Sequence, residues 1–323
     1  MMFKKISTIV LLSVFTQISF AQRNQSYTLT IIDPNTKITE KIRAQLTAAF
    51  NLVYPAFARA DGYGTKRDVT LEINDASTES MIAEAGKIMV NSSWLADNSA
   101  KLERELRFKL SKNWVSSDTL KKKGYQLIFI SKDPNLNQTV KQNLIATYFK
   151  VYPKLVKIYN RKSTKEVFFV VDTAYRAVAE ASGGRILFSA AYMKAHPTDI
   201  DVVTHETMHI VQGYGYGAGP VWLTEGIADY ARYKYGVDNI GSKWSLPAYK
   251  QNQSYTNSYR ITARFFAWLE KNVKSGIIAT LDSELRDHQY TENSWVSLTG
   301  KSIKELWSDY SKNPEIKLTY SGK

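Results

Sequence analysis

The chain has 323 residues, no cysteine and a formal charge of +13 at neutral pH. The lack of cysteine excludes disulfides, a thiol nucleophile, a thiolate metal site and a lipid-modified N-terminal cysteine, so an apolar core must hold the fold by itself. About 300 residues suffice for that, in one large domain or two. The basic surface favours polyanions, with anionic cell-surface polymers as compatible partners, and no nucleic-acid-binding motif accompanies it.

The first element is a predicted export signal over residues 1–21. Met1-Met-Phe-Lys-Lys5 is short and basic, Ile6 to Phe20 is mostly apolar, and Ser19-Phe-Ala21 ends in small residues where a signal peptidase reads. Cleavage after Ala21 removes Lys4 and Lys5 and no acid, leaving +11. No other run of about eighteen apolar residues follows. The expectation is a secreted or periplasmic protein without a membrane span in its mature form.

Residues 22–118 read as an α+β module, 119–318 as a motif-bearing domain and 319–323 as a tail. The module reads strand (Tyr27 to Ile32), helix (containing Ile38 to Tyr54), strand (Val69 to Asn74), loop, strand (Gly86 to Asn91) and a charged helix, Leu102 to Leu110. Advancing each number by 98 sets Tyr54-Pro55 on Tyr152-Pro153, Val69–Asn74 on Val167–Asp172 and Gly86–Asn91 on Gly184–Ser189, while Tyr27–Ile32 resembles Tyr125–Ile130. Chance similarity of two α+β stretches is the competing explanation. A duplication predicts that the first copy, which has no histidine in its last helix, is metal-free and serves as a scaffold, a docking module or an inhibitor. Lys121-Lys-Lys123 reads as a solvated linker.

In the second copy Thr139 to Tyr152 is helical, Gly183-Gly184 is a turn, and Ile186-Leu-Phe-Ser-Ala190 reads as an edge strand able to pair with an extended substrate. Pro197-Thr-Asp199 and Asp201 mark the start of the next helix. On it lies Val203-Thr-His-Glu-Thr-Met-His209. Residues four apart share a helix face, so His205 and His209 can meet one metal ion, with Glu206 beside it able to take a proton from a metal-bound water. Two solvated histidines on a surface helix would read the same way in sequence.

A Gly- and Tyr-rich connection, 213–219, leads to a helix from Pro220 to Gly236 carrying Glu225 and, one turn on, Asp229. Catalytic zinc takes three protein ligands, and Glu225 is the candidate third beside His205 and His209. Asp229 can accept the free N–H of a ligand histidine and fix its tautomer. A solvated acidic face is the bland alternative. Further on, Ser302-Ile-Lys-Glu305 is a capping box for the last helix, and the tail after Asn313 is expected to fray.

These residues carry a family resemblance. His205-Glu-Thr-Met-His-Ile-Val-Gln212, Trp222-Leu-Thr-Glu-Gly-Ile-Ala-Asp-Tyr-Ala-Arg232, Asn257-Ser-Tyr-Arg-Ile-Thr-Ala-Arg-Phe-Phe266 and Gly300-Lys-Ser-Ile-Lys-Glu-Leu-Trp-Ser-Asp-Tyr310 resemble the basic secretory protein family, zinc peptidases of plants and bacteria in the gluzincin group, over about Tyr125 to Tyr310. The resemblance implies a gluzincin-like zincin domain, Zn2+ held by His205, His209 and Glu225, Glu206 as general base and a peptide or protein substrate. Gln212 fits the family pattern, or is a structural hydrogen-bonding residue. Tyr259 matches a family tyrosine and is the candidate catalytic donor to the oxyanion, with a structural role as the alternative. Arg232 and Arg264 are candidate binders of a substrate carboxylate or solvated helix-face residues. The competing functions are a secreted non-catalytic glycan- or peptide-binding protein on the same scaffold, and a zinc amidase acting on cell-wall peptides.

Overall fold

β-branched and aromatic stretches build two sheets in the computed structural model, which describes residues 27–61, 66–76, 78–84 and 86–320. The expected export signal, residues 1–21, lies outside the described residues. The chain divides after Leu120 into two compact units.

The first unit runs β1 (Thr28–Ile32), α1 (Glu40–Asp61), β2 (Asp68–Ile73), β3 (Met81–Glu84), β4 (Lys87–Val90), α2 (Ser92–Asn98) and α3 (Leu102–Leu110). Its sheet order is β1-β2-β4-β3, with β3 antiparallel to β4 and the other pairs parallel. Burial alternates along β2 and β4, where Val69, Leu71, Ile73, Ile88 and Val90 point inward. One face of this sheet therefore makes the core, with Phe50, Tyr54 and Phe57 of α1 and Leu106 of α3.

β5 (Ser116–Lys122) leads across the boundary through a turn at Lys123-Gly124 into β6 (Tyr125–Ser131), α4 (Gln138–Ile158), β7 (Glu166–Asp172), β8 (Ala179–Ser182) and β9 (Arg185–Ser189). The sheet order is β5-β6-β7-β9-β8. Leu127–Ser131 and Val167–Val171 are buried without a break, the mark of strands covered on both faces. Helices complete the unit: α5 (Ala190–Ala195), α6 (Val202–Gln212), α7 (Val221–Tyr235), α8 (Tyr259–Asn272), α9 (Ile277–Arg286), α10 (Asn293–Thr299) and α11 (Ile303–Lys312). The architecture is mixed α+β, and no helix among the described residues is long and apolar enough to cross a membrane.

The strand pairings of the two units correspond residue by residue. Thr28 opposite Asp68, Thr70 opposite Lys87 and Met81 opposite Val90 become, when each number is advanced by 98, Gln126 opposite Glu166, Phe168 opposite Arg185 and Ala179 opposite Phe188. Tyr27 meets Tyr54 edge-on with centroids 5.5 Å apart, and Tyr125 meets Tyr152 in the same way at 5.5 Å. Pro55 and Pro153 each lie inside a helix, which continues past the proline because its apolar face is packed.

Four expectations are corrected. β9, expected as an edge, is paired on both sides, and the edge is β8. Ala179-Glu-Ala-Ser182 has no β-branched or aromatic residue, so its strand arises from pairing across the Gly183-Gly184 turn, where both glycines have positive φ. Pro220 stands just before α7 as its N-cap residue. Asp199 and Asp201, expected to mark the start of α6, stand before its first residue and are bound elsewhere: Asp199 binds Tyr192 and Arg232, and Asp201 accepts from Thr204, Val237 N–H and Asp238 N–H. The tail after Asn313 is tied down, with Asn313 C=O accepting from Trp268 and the Tyr320 hydroxyl accepting from Leu246 N–H.

Candidate metal centre

α6 is an interior helix. His205 is 9% exposed and Glu206 6%, so the reading of two solvated histidines on a surface helix fails. Its end is anchored: Gly213 turns the chain at φ 54°, Asn160 donates to Val211 C=O, and Arg286 donates to Gln212 C=O. Against α6 lies α7, held in turn against α8. A Cβ on Gly226 would lie 2.4 Å from Thr262 Cγ2 and 2.9 Å from Phe266 Cε2, so glycine is what permits this approach beside Glu225.

His205 Nε2 and His209 Nε2 stand 3.1 Å apart, and Glu225 Oε2 lies 3.3 and 3.4 Å from them. Ligands about 2.0–2.2 Å from a tetrahedral zinc ion are roughly 3.3–3.5 Å from one another, so Glu225 stands at that spacing from both imidazoles, while the two imidazole nitrogens are slightly closer together. Among the described residues this is the group of acidic or imidazole side chains that could hold a metal.

The far side of each imidazole fixes what its near side presents. His205 Nδ1 is 2.7 Å from Asp229 Oδ1, and His209 Nδ1 is 2.7 Å from Gln212 Oε1. The Gln212 amide is oriented by its Nε2, which donates to Thr224 C=O at 2.9 Å. Both Nδ1 atoms therefore carry the hydrogen, and both Nε2 lone pairs face each other and the Glu225 carboxylate. Three converging lone pairs repel unless something positive lies among them. Burial lowers the proton affinity of His205, yet Asp229 and Glu225 outweigh it and push the ring up to about 10. Burial likewise raises Glu225, but the two imidazoles outweigh it and hold the carboxyl well below the usual range. Both shifts favour positive charge at the trio, which a proton or a divalent cation could supply.

Glu206 faces a cavity of about 990 Å3 that this trio opens into. Burial raises its carboxyl above the ordinary range, His205 and His209 oppose the rise, and Glu225 and Glu180 add to it. Tyr259, at the mouth of α8, stacks along His205 with centroids 6.1 Å apart and an 18° tilt. It follows Ser258, and the two have φ of 50° and 65°, consecutive left-handed conformations in residues that disfavour them. Burial raises its hydroxyl, as do Glu225, Asp229 and Glu206.

The two arginines considered as carboxylate binders are occupied elsewhere. Arg232 lies buried between Asp199 and Asn239, beneath the Trp244 ring at 4.5 Å. Arg264 is buried and reaches Pro314 C=O, outside the cavity lining. Besides the paired Arg232, the lining includes Lys243, Arg260 and the segment Ala177 to Ala181 leading into β8, none of them an expected site residue. Arg260 had the signal of standing next to Tyr259; Lys243 and β8 had none.

A family model described as "Peptidase of plants and bacteria" matches residues 105–310, more than half of the chain. No curated protein matches it. Similar solved structures include Legionella pneumophila aminopeptidase A in complex with aspartic acid, with 15% identity over 61% of this chain and 28% of that one and a TM-score of 0.43. An M1 zinc metallopeptidase from Deinococcus radiodurans has 12% identity, covering 62% of this chain and 49% of that one, at TM-score 0.36. An aminopeptidase N family protein from Idiomarina loihiensis has 10% identity, 64% and 47% coverage and TM-score 0.37. The chain thus spans between about a quarter and a half of the length of these proteins.

Proposed function

The chain belongs to the basic secretory protein family, the peptidases of plants and bacteria, and from that premise we propose that it is an exported zinc metallopeptidase of the gluzincin type. The observation that carries the reading is the convergence of His205 Nε2, His209 Nε2 and Glu225 Oε2 with both histidine Nδ1 atoms committed to acceptors. Zinc bound there would supply Lewis acidity to a water molecule and to the scissile carbonyl. Glu206 takes the proton of the attacking water and delivers it to the leaving amine. Asp229 and Gln212 hold the imidazole tautomers, and the Tyr259 hydroxyl donates to the oxyanion. The free edge of β8 pairs with the extended substrate backbone.

Export rests on the leader read in residues 1–21. The first unit is read as a duplicated, metal-free copy of the first half of a zincin-like domain, supported by the common strand order and the correspondence of pairings at a shift of 98. Its role is docking or shielding.

The deciding experiment measures zinc per chain together with cleavage of a mixed peptide library. About one zinc per chain and metal-dependent cleavage are expected. Glu206→Gln should keep the metal and lose turnover. Absence of zinc after reconstitution, or full activity in that variant, overturns the reading.

A further inference from the structure

The cavity beside the ligand trio carries two cations that the chemistry above leaves unused. Lys243 and Arg260 line it, both exposed, and neither is ion-paired among the described residues. Of the acids in the lining, Glu206 makes no ion pair among the described residues, and the others are engaged otherwise. Glu180 pairs with Arg185 at 3.3 Å, Asp199 with Arg232, and Glu225 and Asp229 with the two histidines.

Both cations are presented on backbone that the interior holds in place. Asp201, fully buried, accepts Val237 N–H at 2.7 Å and Asp238 N–H at 2.6 Å. Asn239, also fully buried, accepts from Arg232 Nε and donates back to Arg232 C=O. The turn that follows closes with Lys243 N–H on Ile240 C=O at 2.9 Å, and sets Lys243 at φ 56°, a conformation a lysine does not choose for itself. Arg260 comes directly after the left-handed pair Ser258 and Tyr259, and the segment is pinned by the Thr262 hydroxyl on Tyr255 C=O. Strained backbone at Lys243 and just before Arg260, anchored in both segments, points to placement for a ligand.

Resting on the peptidase reading, we propose that Lys243 and Arg260 form a carboxylate-binding subsite, so that the cleft selects peptides with an acidic side chain or a free C-terminal carboxylate near the scissile bond. Guanidinium and ammonium groups suit a carboxylate, the first by a two-pronged fit and the second as a point charge. With two cations in the lining that make no ion pair among the described residues, a negative group entering the cavity meets donors that a neutral amide cannot satisfy equally.

The test uses zinc-loaded full-length Glu206→Gln protein and fluorescently labelled, alanine-based heptapeptides. One series carries a single Glu or Gln walked along the chain, and the other ends in a free acid or an amide. The acidic member of at least one pair should bind about tenfold more tightly, with the preference shrinking as salt rises. The series in which it occurs identifies side chain or C-terminus. Lys243→Gln with Arg260→Gln should bring the ratio toward one, Arg260→Lys should retain part of it, and Arg260→Glu should turn the preference toward lysine-containing peptides. Equal binding of every acidic and neutral pair, or a preference untouched by the double variant, overturns the subsite. Cleavage by the wild-type protein is scored separately: an acidic preference without turnover leaves the subsite standing and defeats the peptidase reading, and turnover without preference does the reverse.

Discussion

Asp229 Oδ1 lies 2.7 Å from His205 Nδ1, so the carboxylate one turn beyond Glu225 on α7 reaches behind the imidazole that Glu225 faces from the other side. One helix thereby supplies both a candidate ligand and the group that sets the tautomer of its neighbour. Asp229→Asn keeps an acceptor but removes the charge, and should weaken zinc binding roughly 10–100-fold while the fold is retained. Competition with a chelator, alongside circular dichroism, measures this; unchanged affinity would leave Asp229 a packing residue.

Tyr259→Phe removes a hydroxyl and little else. Turnover should fall roughly 100-fold with the Michaelis constant within about twofold, as expected for one lost oxyanion donor. Steady-state kinetics on a cleaved peptide decide it, and an effect confined to the Michaelis constant would make Tyr259 a binding residue.

Gly226→Ala tests the packing that places Glu225. The new methyl meets Thr262 and Phe266 at 2.4 and 2.9 Å, so these side chains must shift or α7 and α8 must separate. Overpacking of this kind costs about 1–3 kcal/mol. Urea unfolding should show that loss, and zinc affinity should drop with it because the displaced element carries a ligand. Full stability would mean that Thr262 and Phe266 rotate aside freely.

Asp282, which touches none of the three candidate ligands, supplies a separate pH dependence. It is fully buried, accepting from Tyr214 at 2.8 Å and pairing with Arg286 at 2.8 Å. Burial pushes its carboxyl up to about 6, against the opposing pull of Arg286. A folded value above the unfolded one means the protonated form is favoured by folding. That stability is fully present below about pH 4 and is lost as pH rises through about 6, an amount on the order of 2–3 kcal/mol. Unfolding of wild type and Asp282→Asn should therefore show wild type gaining on the variant as pH falls from 7 to 4. A constant gap between them would show that Asp282 titrates normally.

The local chemistry of the centre was legible in the sequence because helical spacing is a local property. His205, Glu206 and His209 share one turn, and Glu225 with Asp229 repeats the spacing on the next helix, so residue type and spacing together nominate all five as candidates. The β-branched runs at Val69–Ile73 and Val167–Val171 likewise announce strands, since side-chain shape and burial decide them residue by residue. Long-range pairing decided the rest. β8 has no strand-forming residues and becomes the sheet edge only by folding back on β9 across Gly183-Gly184. Arg232 and Arg264 look in sequence like surface cations, yet Asp199 and Asn239 draw one inward and the C-terminal segment covers the other. Lys243 and Arg260 come to the cavity because anchors distant in sequence, such as Asp201, fix the backbone that carries Lys243. Residue type and spacing determine which groups can do chemistry. Which of them face the same cavity is settled by contacts between segments far apart along the chain, and no periodicity records those.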